Sequence, residues 1–386
     1  MDIVINAIPL LSRLTGVGNC IRHTARALVE ADPRNRYTFY YGLFSDVLVS
    51  PAHPEPGGLE PGVDVLHRVK RFLDARPLGR GFVRNAARTW HLAVGVTRHF
   101  DLYWEPNYIP VDLRAAGIVV TVHDLSFIRH PEWHPADRLE HFGEHFLPCL
   151  RRADVITTDS EFTRDELAGL LKTGRDRLRV VHPGYDPTVF RPRDPGEVER
   201  FRRAHDLPGR FLLFVGAIEP RKNVDRLLDA HAQLPADLRT DCPLVLVGSG
   251  GWRNDDTMRR IRTMAPAVRH LGYLPEDDLA LAYAAATAFV YPSLYEGFGL
   301  PLVEAMACGC PVVASSIPPV VETAGDAACL VDALDVDAIA DGIRKVLTDN
   351  DLRRSLTERG RERVERFTWA STARGMLDVF EETTGR

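Results

Sequence analysis

The chain has 386 residues, more than one hydrophobic core ordinarily organises, so two domains are expected. Its 45% hydrophobic and 26% charged residues match ordinary globular domains and exclude a disordered chain or a repeat array, while a net charge of -5 argues against general affinity for nucleic acid. No apolar run reaches the roughly 18 residues of a membrane span and residues 1–6 lack the basic start of a signal peptide, so a cytoplasmic protein is expected.

Residues 2–7 read as a first strand, followed by Gly16-Val17-Gly18 and an amphipathic run from Cys20 to Val29. A glycine turn between strand and helix permits close backbone approach to a phosphate, and it serves equally well as a plain structural turn. Residues 37–41 read as a second strand and residues 50–62, rich in Pro and Gly, as a surface loop. From Arg68 to Arg88 stand seven basic residues and one acidic one, with Arg80, Arg84 and Arg88 on one face of any helix there and Phe82, Val83, Ala87 and Trp90 on the other. One reading is a solvated basic helix. The other is a face that meets an anionic acceptor or the cytoplasmic membrane surface.

Residues 118–122 form a continuous apolar strand, and His123-Asp124 follows at its carboxyl end, where open α/β sheets place ligand chemistry. His123 is either a satisfied structural histidine or a ligand contact; Asp124 either orients its imidazole or caps the next segment. His141-Phe-Gly-Glu144-His145 fits the H-x-x-E-H pattern of zinc peptidases and puts both histidines on one helix face. Gly143 weakens that helix by about 1 kcal/mol and no third ligand is evident in a helix downstream, so no metal site is predicted. A peptidase using His141, Glu144 and His145 stays the remote alternative. Residues 154–159 read as a strand with a helix start at Ser160-Glu161, and residues 179–181 as the last strand of the first half. Prolines at 183, 187, 192, 195 and 208 mark residues 186–208 as a linker. The six cysteines show no paired metal-ligand spacing and read as small buried thiols, with no disulfide.

The second half restarts with a strand at 211–215, a turn from Gly216 to Asn223, and a helix from Val224. Arg221 and Lys222 at a helix start oppose the macrodipole, a conflict that a bound diphosphate would resolve. Residues 244–247 and the glycines at 248, 250 and 251 repeat the strand and turn, and residues 268–274 form another strand. Asp335 reads as the cap of a helix over 338–347, and residues 359–382 as a helix pair around Trp369. Between these lies a strand at 288–291, a loop from Glu296 to Leu300 with two glycines, Pro301 at a first helical position, and Gly309 past the helix end. Backbone N–H groups at such a helix start favour an anion, whereas Glu296 and Glu304 suit vicinal hydroxyls. A nucleotide-sugar has both features. Glu304 also has a plainer reading, compensation of the dipole in the first turn.

Glu296 and Glu304 enclose seven residues, the EX7E spacing, and residues 291–315 resemble the retaining GT-B glycosyltransferases of family 4, with a general likeness to bacterial mannosyltransferases of surface-polysaccharide assembly. The resemblance spans nearly the whole chain. It implies an α/β fold of two Rossmann-like domains facing across a cleft. Residues 1–185 would form the acceptor-side domain with a returning helix at 366–386, residues 186–208 the hinge, and residues 209–365 the nucleotide-sugar domain. It also implies a metal-independent hexosyltransferase with no cofactor beyond its nucleotide diphosphate sugar, GDP-mannose ranking ahead of UDP-sugars. The alternative is a UDP-sugar-dependent enzyme acting on a soluble metabolite. By the same resemblance His123, Arg221, Lys222 and Glu296 carry the chemistry, and Gly16 and Gly18 touch the diphosphate. Leu274 would read the base, Glu296 with Gly297, Phe298, Gly299 and Leu300 would hold the sugar, and Glu304 the ribose. Many relatives carry an Arg directly after the glycine that opens the second half; Ala217 stands there, which leaves that contact to Arg221. A lipid-linked saccharide acceptor fits the basic face at 68–88, with peripheral contact on the inner membrane face through Arg80, Arg84 and Arg88.

Overall fold

A computed structural model describes residues 1–11, 16–48, 94, 95, 97–172 and 175–386, and the chain divides into two compact α/β units. The basic face expected at 68–88, with Arg80, Arg84 and Arg88, lies outside the described residues.

The first unit comprises Met1–Leu125, Glu140–Gly184 and Trp369–Arg386. Its strands are β1 (Asp2–Asn6), β2 (Arg36–Tyr40), β3 (Phe44–Ser45), β4 (Phe100–Glu105), β5 (Ala115–Val122), β6 (Val155–Thr158) and β7 (Leu178–Val180). They lie in the order β3-β2-β1-β4-β5-β6-β7, all parallel except the short edge pair β2 and β3. Val119, Val120 and Val122 of β5 are fully buried, the pattern of a parallel strand covered on both faces. The helix Trp369–Thr384 belongs to this unit and sets Ala373, Met376, Val379 and Phe380 into the same core as Ile21, Ala25 and Leu28 of the helix Gly16–Ala31. The Phe380 ring lies 6.1 Å from Trp104 of β4, and Trp369 stacks on His23 at 5.2 Å.

The second unit comprises Ser126–Leu139 and Tyr185–Thr368. Its strands β8 (Leu212–Val215), β9 (Leu244–Val247), β10 (Val268–Gly272), β11 (Ala288–Tyr291), β12 (Val312–Ser315) and β13 (Ala328–Val331) form a parallel sheet in the order β10-β9-β8-β11-β12-β13. Alternate residues feed two cores: Leu213, Val245 and Phe289 enter one, Leu212, Leu244 and Val290 the other.

Two stretches differ from their sequence reading. Residues 186–208 hold a helix, Pro195–Ala204, begun by a capping box in which Asp194 accepts from the backbone and Glu197 returns to it. Pro195 is the first helical residue, so the proline that looked like linker is a helix start. Residues 126–139, expected in the first domain, cluster with the second unit because their rings find partners there. His130 lies 5.5 Å from Tyr295, His134 lies 5.7 Å from Trp252, and the Arg138 guanidinium sits 5.5 Å from the same indole. All six cysteines are free thiols, and among the described residues no helix is long and apolar enough to cross a membrane.

Candidate functional site

In the second unit the chain leaves β8 through Gly216, makes a single tight turn over Pro220–Lys222, and enters the helix Val224–Gln233 through Asn223 in a left-handed conformation with φ 59°. The Asn223 amide donates to the carbonyls of Pro292 at 3.0 Å and Ala333 at 2.7 Å, and Leu294 N–H donates to the Arg221 carbonyl at 2.8 Å. These bonds lace the turn after β8 to the loop after β11. As a result Lys222 Nζ donates to Glu296 Oε1 at 2.5 Å and to the Tyr291 hydroxyl at 2.9 Å, while Arg221 Nη1 donates to Glu296 Oε2 at 2.8 Å. Arg221 Nε reaches Glu219, which the sequence reading did not single out. Lys222 and Glu296 are only 6% and 5% exposed and Glu219 is equally buried, so with the partly exposed Arg221 two carboxylates and two cations balance one another largely out of water. Burial alone would push the Glu296 carboxyl up, but the Lys222 ammonium and Arg221 guanidinium outweigh it and hold it at about 2.

The helix Leu300–Ala307 starts from Gly299 at φ 103°, a left-handed position where a Cβ would also come within 2.9 Å of Leu302 Cδ1. Thr323 donates to the Phe298 carbonyl at 2.8 Å and the Phe298 ring packs against Phe367 at 5.2 Å, so Phe298 can offer a ligand its backbone and not its side chain. The helix has no acid in its first turn: Glu304 stands in the second, which removes the dipole reading. The Tyr283 hydroxyl donates to Glu304 at 3.0 Å, and burial pushes this carboxyl up to about 7. Leu274 is 7% exposed and faces the core, whereas Tyr273 before it is 37% exposed. A Cβ on Gly248 would lie 2.0 Å from the Gly216 carbonyl, so that glycine serves close packing of two neighbouring turns.

In the first unit Gly16 and Gly18 lie inside the first turn of the helix Gly16–Ala31, and a Cβ on Gly16 would meet nothing within 4 Å among the described residues. His123 follows β5 and is buried. Its Nδ1 is 2.8 Å from Asp159 Oδ2 and its Nε2 is 2.9 Å from the Pro106 carbonyl. The carboxylate on the imidazole is therefore Asp159; Asp124 instead donates its backbone N–H to the Tyr108 hydroxyl at 3.2 Å. Beside this pair, Glu105 accepts from Asn6 Nδ2 and the Tyr103 hydroxyl, both at 2.7 Å, and from Asn107 N–H at 2.9 Å. Burial still raises it to about 7. A small pocket open to solvent is lined by His123, Asp159, Cys20, Thr24, Trp104 and Met376 among others.

His141 and His145 share a face of the helix Ala136–Arg152 with ring centroids 5.0 Å apart. Among the described residues no group of three His, Cys, Asp or Glu side chains is placed to hold a metal ion. Asp335 caps the helix Val336–Thr348, accepting from the N–H groups of Asp337 and Ala338.

Two family models match the chain: Glycosyltransferase Family 4 over residues 14–189 and Glycosyl transferases group 1 over residues 197–363. The O-antigen chain mannosyltransferase B of Escherichia coli is 37% identical over 391 residues, covering 99% of this chain and all of that protein. Among solved structures, the sucrose-phosphate synthase of Thermosynechococcus elongatus superposes with a TM-score of 0.71 at 22% identity, over 99% of each chain. The Anabaena protein HepE, in complex with UDP-glucose, gives 0.69 at 17% identity over 99% of this chain and 100% of its own. Both likenesses concern the fold, and with two parallel-sheet α/β units it is the GT-B architecture.

Proposed function

Because this chain belongs to the family 4 and group 1 glycosyltransferases, we propose that it moves mannose from GDP-mannose to a hydroxyl acceptor in surface polysaccharide or glycoconjugate assembly, retaining the anomeric configuration and using no metal. The observation that carries this reading is the buried meeting of Arg221 and Lys222 with Glu296 at the end of β11. Breaking the anomeric C–O bond leaves positive charge on the sugar and negative charge on the diphosphate. The two cations, with the N–H groups of residues 298–300, would stabilise the latter. As they turn toward phosphate oxygens they release Glu296, whose carboxylate and the Gly297–Gly299 backbone can then accept and donate to sugar hydroxyls. Glu304 would hold the ribose, the leaving phosphate would take the acceptor proton, and the enzyme would work in the cytoplasm, where nucleotide-sugars are made.

The second reading, a UDP-sugar donor, is favoured by the UDP-glucose bound to HepE. Calorimetric titration with GDP, GDP-mannose, UDP and UDP-glucose separates the two. Tighter binding of the guanine nucleotides is expected, and tight binding of UDP with none of GDP would overturn the ranking.

A further inference from the structure

We propose that Asp159 is a positioning residue that holds His123 as a doubly donating imidazolium, a fixed cation and not a base. The geometry requires it. A carbonyl oxygen and an ionised carboxylate only accept hydrogen bonds, and a neutral imidazole has one N–H to give. With Asp159 Oδ2 at 2.8 Å from Nδ1 and the Pro106 carbonyl at 2.9 Å from Nε2, either neutral tautomer would set one ring lone pair against an oxygen lone pair. With Asp159 ionised, only the doubly protonated ring satisfies both partners.

Both acceptors are themselves fixed. Asp159 directly follows β6, with Ser160 beyond it capping the helix Glu161–Leu171 by accepting from Thr163 N–H. Pro106 follows Glu105, whose carboxylate takes three hydrogen bonds from Asn6, Tyr103 and Asn107. The four adjacent strands β1, β4, β5 and β6 thus each contribute one member of the network at their carboxyl ends: Asn6, Glu105, His123 and Asp159. Tyr108, at φ 66°, meets the imidazole edge-on at 5.6 Å and limits its rotation. The ionisable groups around His123 are Asp159, Asp124 and Glu105, with the Cys20 thiol of the helix Gly16–Ala31 facing Asp159. Burial works against the charge on His123, yet Asp159, the Pro106 carbonyl and Asp124 outweigh it and the ring titrates above an ordinary histidine. That makes both nitrogens unavailable to a substrate hydroxyl.

The kinetic part of this inference rests on the transferase reading; the protonation part does not. The test records nitrogen NMR of ¹⁵N-histidine-labelled full-length protein, with His123 assigned through His123→Gln, for the wild type, Asp159→Asn and Asp159→Glu. At about pH 7.5 the wild type and Asp159→Glu should show two protonated ring nitrogens and Asp159→Asn one. In mannosyl transfer, kcat/KM of Asp159→Asn should fall roughly fivefold or more from about pH 6 to about pH 8 with no such limb in the wild type, because the variant loses its imidazolium as pH rises. A neutral His123 in the wild type at that pH overturns the proposal, as does an Asp159→Asn protein with wild-type protonation and pH profile. If Asp159→Asn does not fold, the wild-type ring alone decides. Should no donor be turned over at all, the transferase reading fails while the NMR result stands.

Discussion

Lys222 and Glu296 lie 74 positions apart and share a 2.5 Å hydrogen bond, so replacing either strips a buried charge of a close counter-charge, leaving Glu296 to Arg221 or Lys222 to the Tyr291 hydroxyl. Lys222→Ala and Glu296→Gln should each lower kcat about tenfold or more, on the order of 1.4 kcal/mol, in steady-state assays with melting temperature as the control. Unchanged turnover in both would contradict their place in the site. Glu304 makes a pH prediction. Its folded pKa is raised to about 7 from an ordinary 4.5, so the neutral carboxyl stabilises the fold at low pH and that stability is lost as pH rises through about 7. Glu304→Gln should therefore gain in melting temperature relative to the wild type between about pH 5 and pH 8, and a constant difference would argue against the raised value. Donor affinity should run the other way in the wild type, rising over the same interval as the carboxylate becomes able to accept two ribose hydroxyls. The glutamates and the Arg221-Lys222 pair could be singled out as candidates because their spacing is local. Asp159 and Asn223 were not, since their roles depend on partners 36 and 110 positions away. Glu219 stands two residues from Arg221, but nothing in the sequence shows that the guanidinium folds back onto it.

At the scale of single elements, glycines divide into those that packing demands and those it does not. Gly299→Ala forces a side chain into a left-handed backbone against Leu302 and should destabilise the protein by about 1–3 kcal/mol, read from denaturant unfolding. Gly16→Ala meets no described atom and favours the helix, so it should keep or raise stability, by up to about 1 kcal/mol, and raise the donor KM if a diphosphate approaches that helix start. A loss of stability with unchanged KM would mean that Gly16 serves the fold alone. The strands and their glycine exits were readable from apolar runs broken at Gly216 and Gly248. The helix Pro195–Ala204 was hidden because proline at a helix start and proline in a linker look alike until the Asp194 and Glu197 side chains are seen to close the capping box.

For the whole molecule, the two parallel sheets followed from alternating strand and helix patterns, whereas the placing of residues 126–139 in the second unit did not, since it depends on Tyr295 and Trp252 far along the chain. The returning helix came from the resemblance and not from its own sequence. Phe380 ties that helix into the first core, and Phe380→Ala should cost about 3–5 kcal/mol. Amide exchange should quicken in β1 and β4 and stay unchanged in β11; equal quickening in both sheets would deny the units their separate cores. The same helix also sets a timetable. Trp369–Arg386 leaves the ribosome after every other segment of either unit, yet it completes the core begun by residues 1–40. During synthesis residues 1–40 therefore emerge long before the segment that packs against them, and the core they share is complete only once Trp369–Arg386 has followed.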